Sequence, residues 1–285
     1  MKKFITILFT LIICCSMTIP VTHAKGIQQK KLTYTNLVDK QTQKKINGAM
    51  NSSNIPYKSQ RYFLKHVNEF NRAVKYVSLI PHGYKTINGY TPKYNEDAMA
   101  NRWYKAYPEK LGVNCRLTTF GLIKDFINVK NTRHPDLDTL AFDQHVLKSS
   151  KEYNFTAYEK AMFYKLFSAI PVKKFDRKSQ IRTIQNFYKQ NAIKFSNKKV
   201  KMISVYLPSD VDDTYKVFAG HVGILLKQSD GKYLFIEKLA FQKPYQAIQL
   251  NNTQDLKKYL TALYKSYGNK KLPQPIIMEN DQELR

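Results

Sequence analysis

Apolar residues recur at two different spacings along the chain. Through the first two-thirds of the sequence the intervals are three and four residues, which is typical of helices that bury one face. The positions concerned are Phe63, Val67, Phe70, Val74 and Val77, then Tyr158, Met162, Leu166 and Ile170, then Ile181, Ile184 and Tyr188. We expect these stripes to form core faces rather than cofactor sites.

The last third of the sequence consists of short apolar runs separated by turn residues. These runs are residues 200–207, 217–226, 233–241 and 245–250. Because they are apolar almost without interruption, they predict strands that are covered on both faces. A final helix is predicted after Asn252, which with Asp255 resembles a capping pair.

The two patterns together predict an α+β fold in a single domain over residues 25–285. In this fold the helical N-terminal two-thirds packs on a C-terminal antiparallel sheet. Apolar residues make up 43% of the sequence, which suffices for a sizeable core. We find no internal repeat and no Pro/Ser-rich linker that would divide the domain.

The first 24 residues have the pattern of a secretory signal peptide. Two lysines precede an apolar run that is too short to span a membrane, and Ala24 supplies the small residue of a cleavage site. This pattern predicts an extracytoplasmic protein, either secreted or associated with the cell surface. A rival interpretation is a lipid anchor through Cys14 or Cys15, although the large Ile13 fits a lipoprotein signal poorly.

The composition is strongly basic, with 47 Lys and Arg residues against 21 Asp and Glu residues and a net charge of +26. A large charge of one sign favours association with polyanions. For an exported protein the expected partners are anionic wall polymers or a membrane surface, and not nucleic acid. Since the lysines are spread along the sequence, a generally basic surface is the simplest interpretation.

Cys115 is the one cysteine that remains when the predicted signal is removed. Exported proteins normally pair their cysteines, so a single one is either a small buried hydrophobe or a nucleophile. Gly112 and Asn114 are breaker and cap types that precede an apolar stripe, which places Cys115 in the first turn of a buried helix. There the helix dipole and the free backbone N–H groups stabilise a thiolate and can hold an oxyanion.

Two strands of a predicted hairpin each contain one ionisable residue, His221 and Glu237. Burying such groups costs several kcal/mol unless they are paired. If residues 229–231 form a three-residue turn with Gly231 left-handed, the two lie on one face as diagonal neighbours, whereas a two-residue turn would separate them. A thiol nucleophile needs a base and an orienting partner for that base. The alternative is a satisfied core histidine.

These features together resemble the papain-like cysteine hydrolases, and within them the NlpC-type cell-wall peptidases. The matching segments are the cysteine that starts a helix in GVNC, the histidine strand GHVGILL and the next strand YLFIEK. The resemblance implies a papain-like fold with Cys115 as nucleophile, His221 as base and Glu237 as orienting residue. Three features depart from that class and leave the substrate open: Arg116 after the cysteine, a long helical insert at about 130–195, and a glutamate as third residue.

A second likeness extends over nearly all of the chain beyond the predicted signal. The segments LTYTNLVD, GVNCRLTTFGLIKD, GHVGILL, FIEKLAFQKPYQAI and PIIMEND are similar to a bacterial domain-of-unknown-function family, number 4300. Its members are exported proteins of low-GC Gram-positive bacteria, and many are lipoproteins. Because the family has no established activity, this likeness implies location and one continuous fold but no reaction.

We therefore expect an exported thiol-dependent hydrolase or acyltransferase that acts on an amide bond in a cell-wall peptide or another envelope substrate. Asn114, Trp103 and Tyr107 are candidates to line its substrate groove, with packing as the alternative for the aromatic residues. No cofactor is predicted. No metal is predicted either, since Asp136 in RHPDLD is better explained as a helix cap than as a ligand. The alternative function is a non-enzymatic basic envelope protein that binds anionic wall polymer or membrane on a retired hydrolase scaffold.

Overall fold

A computed structural model describes residues 30–149, 155–209 and 214–285. The predicted signal peptide, with Cys14 and Cys15, therefore lies outside the described residues. Within these residues the fold is α+β, as predicted, with a large antiparallel sheet. The helices are α1 (Lys40–Ser52), α2 (Tyr57–Ala73), α3 (Glu96–Ala106), α4 (Cys115–Ile123), α5 (Ala141–Ser149), α6 (Ala157–Leu166), α7 (Arg177–Gln190) and α8 (Thr253–Tyr264).

Most of the strands join one sheet, in the order β11-β10-β6-β7-β8-β9-β1-β2, with β4 paired to β7 outside this path. The strands are β1 (Lys31–Thr35), β2 (Lys85–Asn88), β3 (Ile127–Val129), β4 (Ile170–Pro171), β5 (Ile193–Phe195), β6 (Val200–Ser209), β7 (Lys216–Lys227), β8 (Tyr233–Lys238), β9 (Tyr245–Leu250), β10 (Ile276–Glu279) and β11 (Gln282–Glu283). The runs predicted between residues 200 and 250 form its centre. The prediction of a purely C-terminal sheet is wrong at one edge, because β1 pairs with β9 and carries β2 with it.

Both faces of the central strands are covered, as their continuous apolarity predicts. Ile224 and Ile236 point into a core shared with α2 and α4, while Leu225 and Phe235 point into a second core beneath α8. This alternation follows from the two-residue period of a strand. Helix α4, which begins at Cys115, therefore lies directly against β7 and β8. None of the helices in the described ranges has the length and apolarity that a membrane crossing requires.

The β7–β8 hairpin has the predicted three-residue turn. The Gln228 N–H donates to the Lys232 carbonyl at 2.8 Å, and Gly231 has a φ of +83°. In the resulting register Gly223 is opposite Glu237, so His221 and Glu237 are diagonal neighbours on the same face. This register was one of the two that the sequence allowed.

The predicted helices differ from the observed ones at their ends. Helix α2 ends at Ala73, because left-handed residues at Lys75 and Tyr76 turn the chain before Val77. Ile170 belongs to β4 instead of α6. Tyr158, which was predicted to face the core, is 54% exposed. It lies in the first turn of α6, and its hydroxyl donates to the Val129 carbonyl at 3.4 Å.

The segment predicted as a helical insert contains α5, α6 and α7. Strands β3 and β5 pair with each other on either side of it, with Ile127 opposite Phe195. The chain therefore enters and leaves the helices of the insert at neighbouring positions. The insert also contributes β4, which pairs with β7 and so joins the insert to the sheet that carries His221.

Candidate active site

Cys115 is the first residue of α4, as predicted. The Asn114 side chain caps the helix, because its oxygen accepts a hydrogen bond from the Leu117 N–H at 3.0 Å. Most of α4 is buried, and it packs against α2 as well as the sheet. The thiol is therefore held at the positive end of a fixed helix, where a thiolate is stabilised.

A buried cluster beside the cysteine explains Arg116. Its guanidinium binds both carboxylate oxygens of Asp143 on α5, with an Nη2–Oδ2 distance of 2.5 Å, and donates to the Ala219 carbonyl on β7 at 3.1 Å. The Asn114 amide donates to the same carboxylate at 2.8 Å. Arg116 thus joins the start of α4 to the insert and to the strand of His221, which is a role that a small residue cannot fill.

His221 follows a bulge in β7. Pairing with β6 shifts by one residue here, with Val205 opposite His221 and Tyr206 opposite Ala219, so Gly220 is the extra residue. A Cβ at Gly220 would lie 2.4 Å from Leu207 Cδ1, so any larger residue would require the Leu207 side chain to shift. Bulges change the direction of nearby side chains and are common next to active sites.

The His221 imidazole forms a short hydrogen bond to Glu237, with 2.5 Å between Nε2 and Oε2. The other carboxylate oxygen of Glu237 accepts from Gln246 Nε2 at 2.7 Å and from the Tyr259 hydroxyl at 2.6 Å. All of these groups are buried, and Glu237 is 0% exposed. The side chain of the neighbouring Lys238 lies on the opposite face of the sheet, as strand alternation requires.

A chain of hydrogen bonds fixes the orientation of this carboxylate. The Ile80 N–H donates to Asn36 Oδ1, so the Asn36 amide nitrogen must point the other way, where it donates to the Tyr94 hydroxyl at 2.9 Å. The Tyr94 hydroxyl then donates to Gln246 Oε1 at 3.0 Å, which directs Gln246 Nε2 toward Glu237. Since an ionised carboxylate only accepts hydrogen bonds, His221 Nε2 carries a proton and Nδ1 remains available as a base.

Cys115 and His221 shift each other's ionisation. Burial raises the pKa of the Cys115 thiol, but His221, the charge of Arg116 and the Val222 N–H lower it by more. Burial lowers the pKa of His221, whereas its hydrogen bond to Glu237, its contact with Cys115 and the charges of both groups raise the pKa above the usual value. Both directions favour a thiolate–imidazolium pair.

The contact between this pair is not aligned ideally. His221 Nδ1 has no hydrogen bond of good geometry among the described residues, although Cys115 is close enough to change its pKa. Catalytic hydrogen bonds are often long or misaligned without substrate and tighten when it binds. The arrangement therefore fits a resting site.

The site is closed in this conformation. Cys115 is 6% exposed and His221 is 1% exposed, and the Tyr264 ring stacks on the imidazole with 5.2 Å between ring centroids. A surface cavity of about 980 Å³ lies elsewhere, between β1, β9 and α8. In this conformation little of either side chain is accessible to solvent.

The three residues predicted to line a substrate groove are used mainly by the protein itself. Asn114 caps α4, and the Trp103 indole N–H donates to the Lys110 carbonyl at 2.8 Å. The Trp103 ring packs between Phe70 and Tyr107, with centroid distances of 5.8 and 5.0 Å. Packing, the alternative reading, accounts for the contacts of both aromatic residues.

Three residues that hold Glu237 in place were not predicted from the sequence, namely Gln246, Tyr259 and Tyr94. Gln246 is a polar residue within an apolar strand and could have been found by the reasoning that identified Glu237. Tyr259 and Tyr94 could not, because aromatic residues on helices and loops normally pack. Their roles depend on contacts between distant parts of the chain.

The acidic pair of RHPDLD binds a lysine. Lys216 Nζ lies 2.8 Å from an Asp136 carboxylate oxygen and also bonds Asp138. Asp136 caps a turn by accepting from the Asp138 N–H, and α5 begins only at Ala141, so the prediction of a helix cap is wrong. Within the described residues no three metal-binding side chains form a cluster.

The chain was compared with protein-family models, curated proteins and solved structures. Neither the curated proteins nor the solved structures contain a significant match. One family model, described as Domain of unknown function (DUF4300), matches residues 33–284 and thus spans α4 as well as both strands of the His221–Glu237 hairpin. The chain therefore belongs to the DUF4300 family.

Proposed function

We propose that this protein is a thiol-dependent hydrolase or acyltransferase that acts on an amide bond. Cys115 is the nucleophile, His221 the general base and acid, and Glu237 the orienting residue. The observation that carries this proposal is the buried His221–Glu237 hydrogen bond of 2.5 Å, on an imidazole that also lowers the pKa of Cys115. A nucleophile, a base and an orienting group in this relation are the requirements of covalent acyl transfer.

The reaction proceeds in two steps. The Cys115 thiolate attacks the amide carbon, and a backbone N–H at the start of α4 stabilises the oxyanion that forms. His221 then donates its Nδ1 proton to the departing amine, which leaves a thioester. In the second step His221 removes a proton from water or from another acceptor, which attacks the thioester and regenerates the thiol.

The order of the site residues supports a papain-like version of this proposal. A cysteine that starts a helix, a later histidine strand and a polar residue on the next strand occur here in the order of the NlpC-type cell-wall peptidases. The substrate that this likeness suggests is a cell-wall peptide or another envelope amide. Export through the predicted signal, with or without a lipid anchor, is part of the same proposal.

Alkylation of Cys115 tests the nucleophile directly. We expect the folded protein to react with iodoacetamide rapidly at about pH 6, because a thiol with a lowered pKa is ionised where an ordinary cysteine, with a pKa of about 8.5, is not. The control is the same chain in denaturant, which should react mainly above about pH 8. A folded protein that reacts no faster than the unfolded chain at about pH 6 would contradict the proposal.

A second candidate function is the binding of an anionic polymer, and one surface feature favours it. The cavity of about 980 Å³ between β1, β9 and α8 is lined by many lysines and one carboxylate, Asp255. The lysines are Lys30, Lys31, Lys232, Lys257, Lys258 and Lys265. We call this surface the lysine groove. Its excess of positive charge would attract a polyphosphate chain even if Cys115 were inert.

Charge removal tests the groove. The double variant Lys257→Ala/Lys258→Ala should bind inorganic polyphosphate several-fold more weakly than the wild type, and the difference should shrink as salt rises because screening acts beyond about 8 Å at physiological ionic strength. The matched control is Lys44→Ala/Lys45→Ala on α1, which removes the same charge outside the groove. Equal weakening by both pairs would assign the binding to net charge alone.

A further inference from the structure

Lys238 is the most deeply buried lysine of the described residues, at 1% exposure. It follows Glu237 in β8 but points to the opposite face, into the core that also contains α4. Its Nζ donates to the Lys243 carbonyl and lies over the Phe70 ring, 3.5 Å from the centroid. The Tyr245 ring is the second aromatic contact, at 4.6 Å.

This amine has no carboxylate partner among the described residues, in contrast to two other buried cations of the chain. Arg116 is paired with Asp143 and Lys216 with two aspartates. Burying a cation without an opposite charge is expensive, and aromatic faces and one carbonyl offset only part of the cost. Strongly perturbed, buried ionisable groups concentrate at functional sites.

The surroundings of Lys238 connect it to the nucleophile. It lines a small, partly open cavity together with Gly112 and Val113, the residues that lead into Cys115, and the Glu69–Lys110 ion pair lines the same cavity. Burial lowers the pKa of Lys238 well below its usual value, and the negative charge of Cys115 acts in the opposite direction. A second negative charge in the cavity would further favour the protonated amine.

The acceptor that now satisfies Lys238 belongs to a surface turn. Residues 239–244 connect β8 to β9, and the turn is closed by the Leu239 N–H bond to the Pro244 carbonyl at 3.1 Å. Its outer contacts are a Lys243–Glu96 ion pair at 2.8 Å between partly exposed groups and a Phe241–Phe142 ring contact at 5.0 Å. Such contacts are weak, so this turn can move while the sheet stays fixed.

We propose that Lys238 binds a carboxylate of the substrate, next to the amide that Cys115 attacks, once the Lys243 carbonyl moves away. This inference rests on the proposed function and adds a substrate class, namely amides that carry a free carboxylate close to the scissile bond. The carboxylate replaces a neutral acceptor with an opposite charge, and the aromatic walls exclude water around the pair. Lys238 is then a specificity-determining residue.

Two alkylating reagents that differ in charge test this proposal. Iodoacetate carries a carboxylate on the carbon that Cys115 attacks with loss of iodide, whereas iodoacetamide carries a neutral amide there. In Lys238→Met the ratio of the iodoacetate rate to the iodoacetamide rate should fall about tenfold or more, since hydrogen bonds to charged groups are the strong ones. The matched control is Lys165→Met, which removes another buried lysine that donates to a carbonyl. An unchanged ratio in Lys238→Met would overturn the proposal.

A second measurement separates this proposal from the proposed function. If wild-type Cys115 reacts with neither reagent, the proposed role of Cys115 as nucleophile is wrong. The carboxylate site can still be tested by comparing thermal unfolding in sodium succinate with thermal unfolding in sodium chloride of equal ionic strength. Stabilisation by succinate in the wild type that is lost in Lys238→Met supports the site, and equal behaviour of both proteins overturns it. The variant should fold, because methionine fills a similar volume and removes a buried charge.

Discussion

Replacing Cys115 with alanine should abolish amide hydrolysis and leave the fold intact. In the proposed reaction the thiolate forms the covalent bond to the substrate, and an alanine side chain offers no nucleophile to replace it. The side chain is small and 6% exposed, so its loss leaves a minor cavity and should cost about 1 kcal/mol or somewhat more. Release of amines from a cell-wall peptide preparation measures activity, and thermal unfolding measures stability.

Cys115→Ser is the matched variant for this experiment. A serine hydroxyl has nearly the same size and can hydrogen-bond with His221, but it does not ionise at neutral pH. We therefore expect serine to keep stability and to lose nearly all turnover, because the environment that lowers the thiol pKa cannot make an alkoxide. Full turnover by Cys115→Ala would place the nucleophile elsewhere, whereas no turnover even by the wild type would leave the lysine-groove function as the better account.

The local part of this site could be predicted from the sequence. Asn114 marks the start of α4 because a capping side chain and a helix dipole act within one turn. The hairpin register depends on Gly231 and on the two-residue period of the strands, so it too is decided by nearby residues. Asn252 caps α8 for the same reason, accepting from the Asp255 N–H at 2.9 Å.

The long-range part could not be predicted. Strand β1 is short and joins β9 from the opposite end of the chain, with Tyr34 opposite Ile248. The orientation of Gln246 depends on Tyr94 and on Asn36, which are remote from it in sequence. In the sequence, Arg116 departs from the small residue that the papain-like class usually has after its cysteine. Only the ion pair with Asp143 explains why an arginine stands there. Each of these features is decided by tertiary packing, which a local pattern does not encode.

The Glu237→Gln variant tests the whole orienting chain, and we expect it to lower turnover by about 100-fold or more. The reason is the direction of the hydrogen bonds. Gln246 Nε2 and the Tyr259 hydroxyl donate to Glu237 Oε1, so a glutamine here must turn its oxygen toward them and its amide nitrogen toward His221 Nε2. His221 would then accept at Nε2 and carry its proton on Nδ1, the nitrogen that should take the thiol proton.

The same substitution should raise the pH at which Cys115 is alkylated. Removing the carboxylate charge lowers the pKa of His221, so the imidazolium that stabilises the thiolate is lost at lower pH and the thiol pKa rises. The alkylation profile measured with iodoacetamide reports this shift. Glu159→Gln is the matched control, because it removes a partly buried, ion-paired carboxylate 2.7 Å from Lys124, outside the site.

Stability should change with pH in a defined direction. Folded wild-type His221 has a raised pKa, while an unfolded histidine titrates at about 6.5, so the stabilisation from its pairing is full below about pH 6.5 and is lost as pH rises through the raised value. Without Glu237 this contribution falls. The difference in free energy of unfolding between wild type and Glu237→Gln should therefore be largest at mildly acidic pH and shrink toward alkaline pH in urea titrations. A lower stability at every pH, together with an unshifted alkylation profile, would make Glu237 a structural residue and reduce the site to Cys115 and His221.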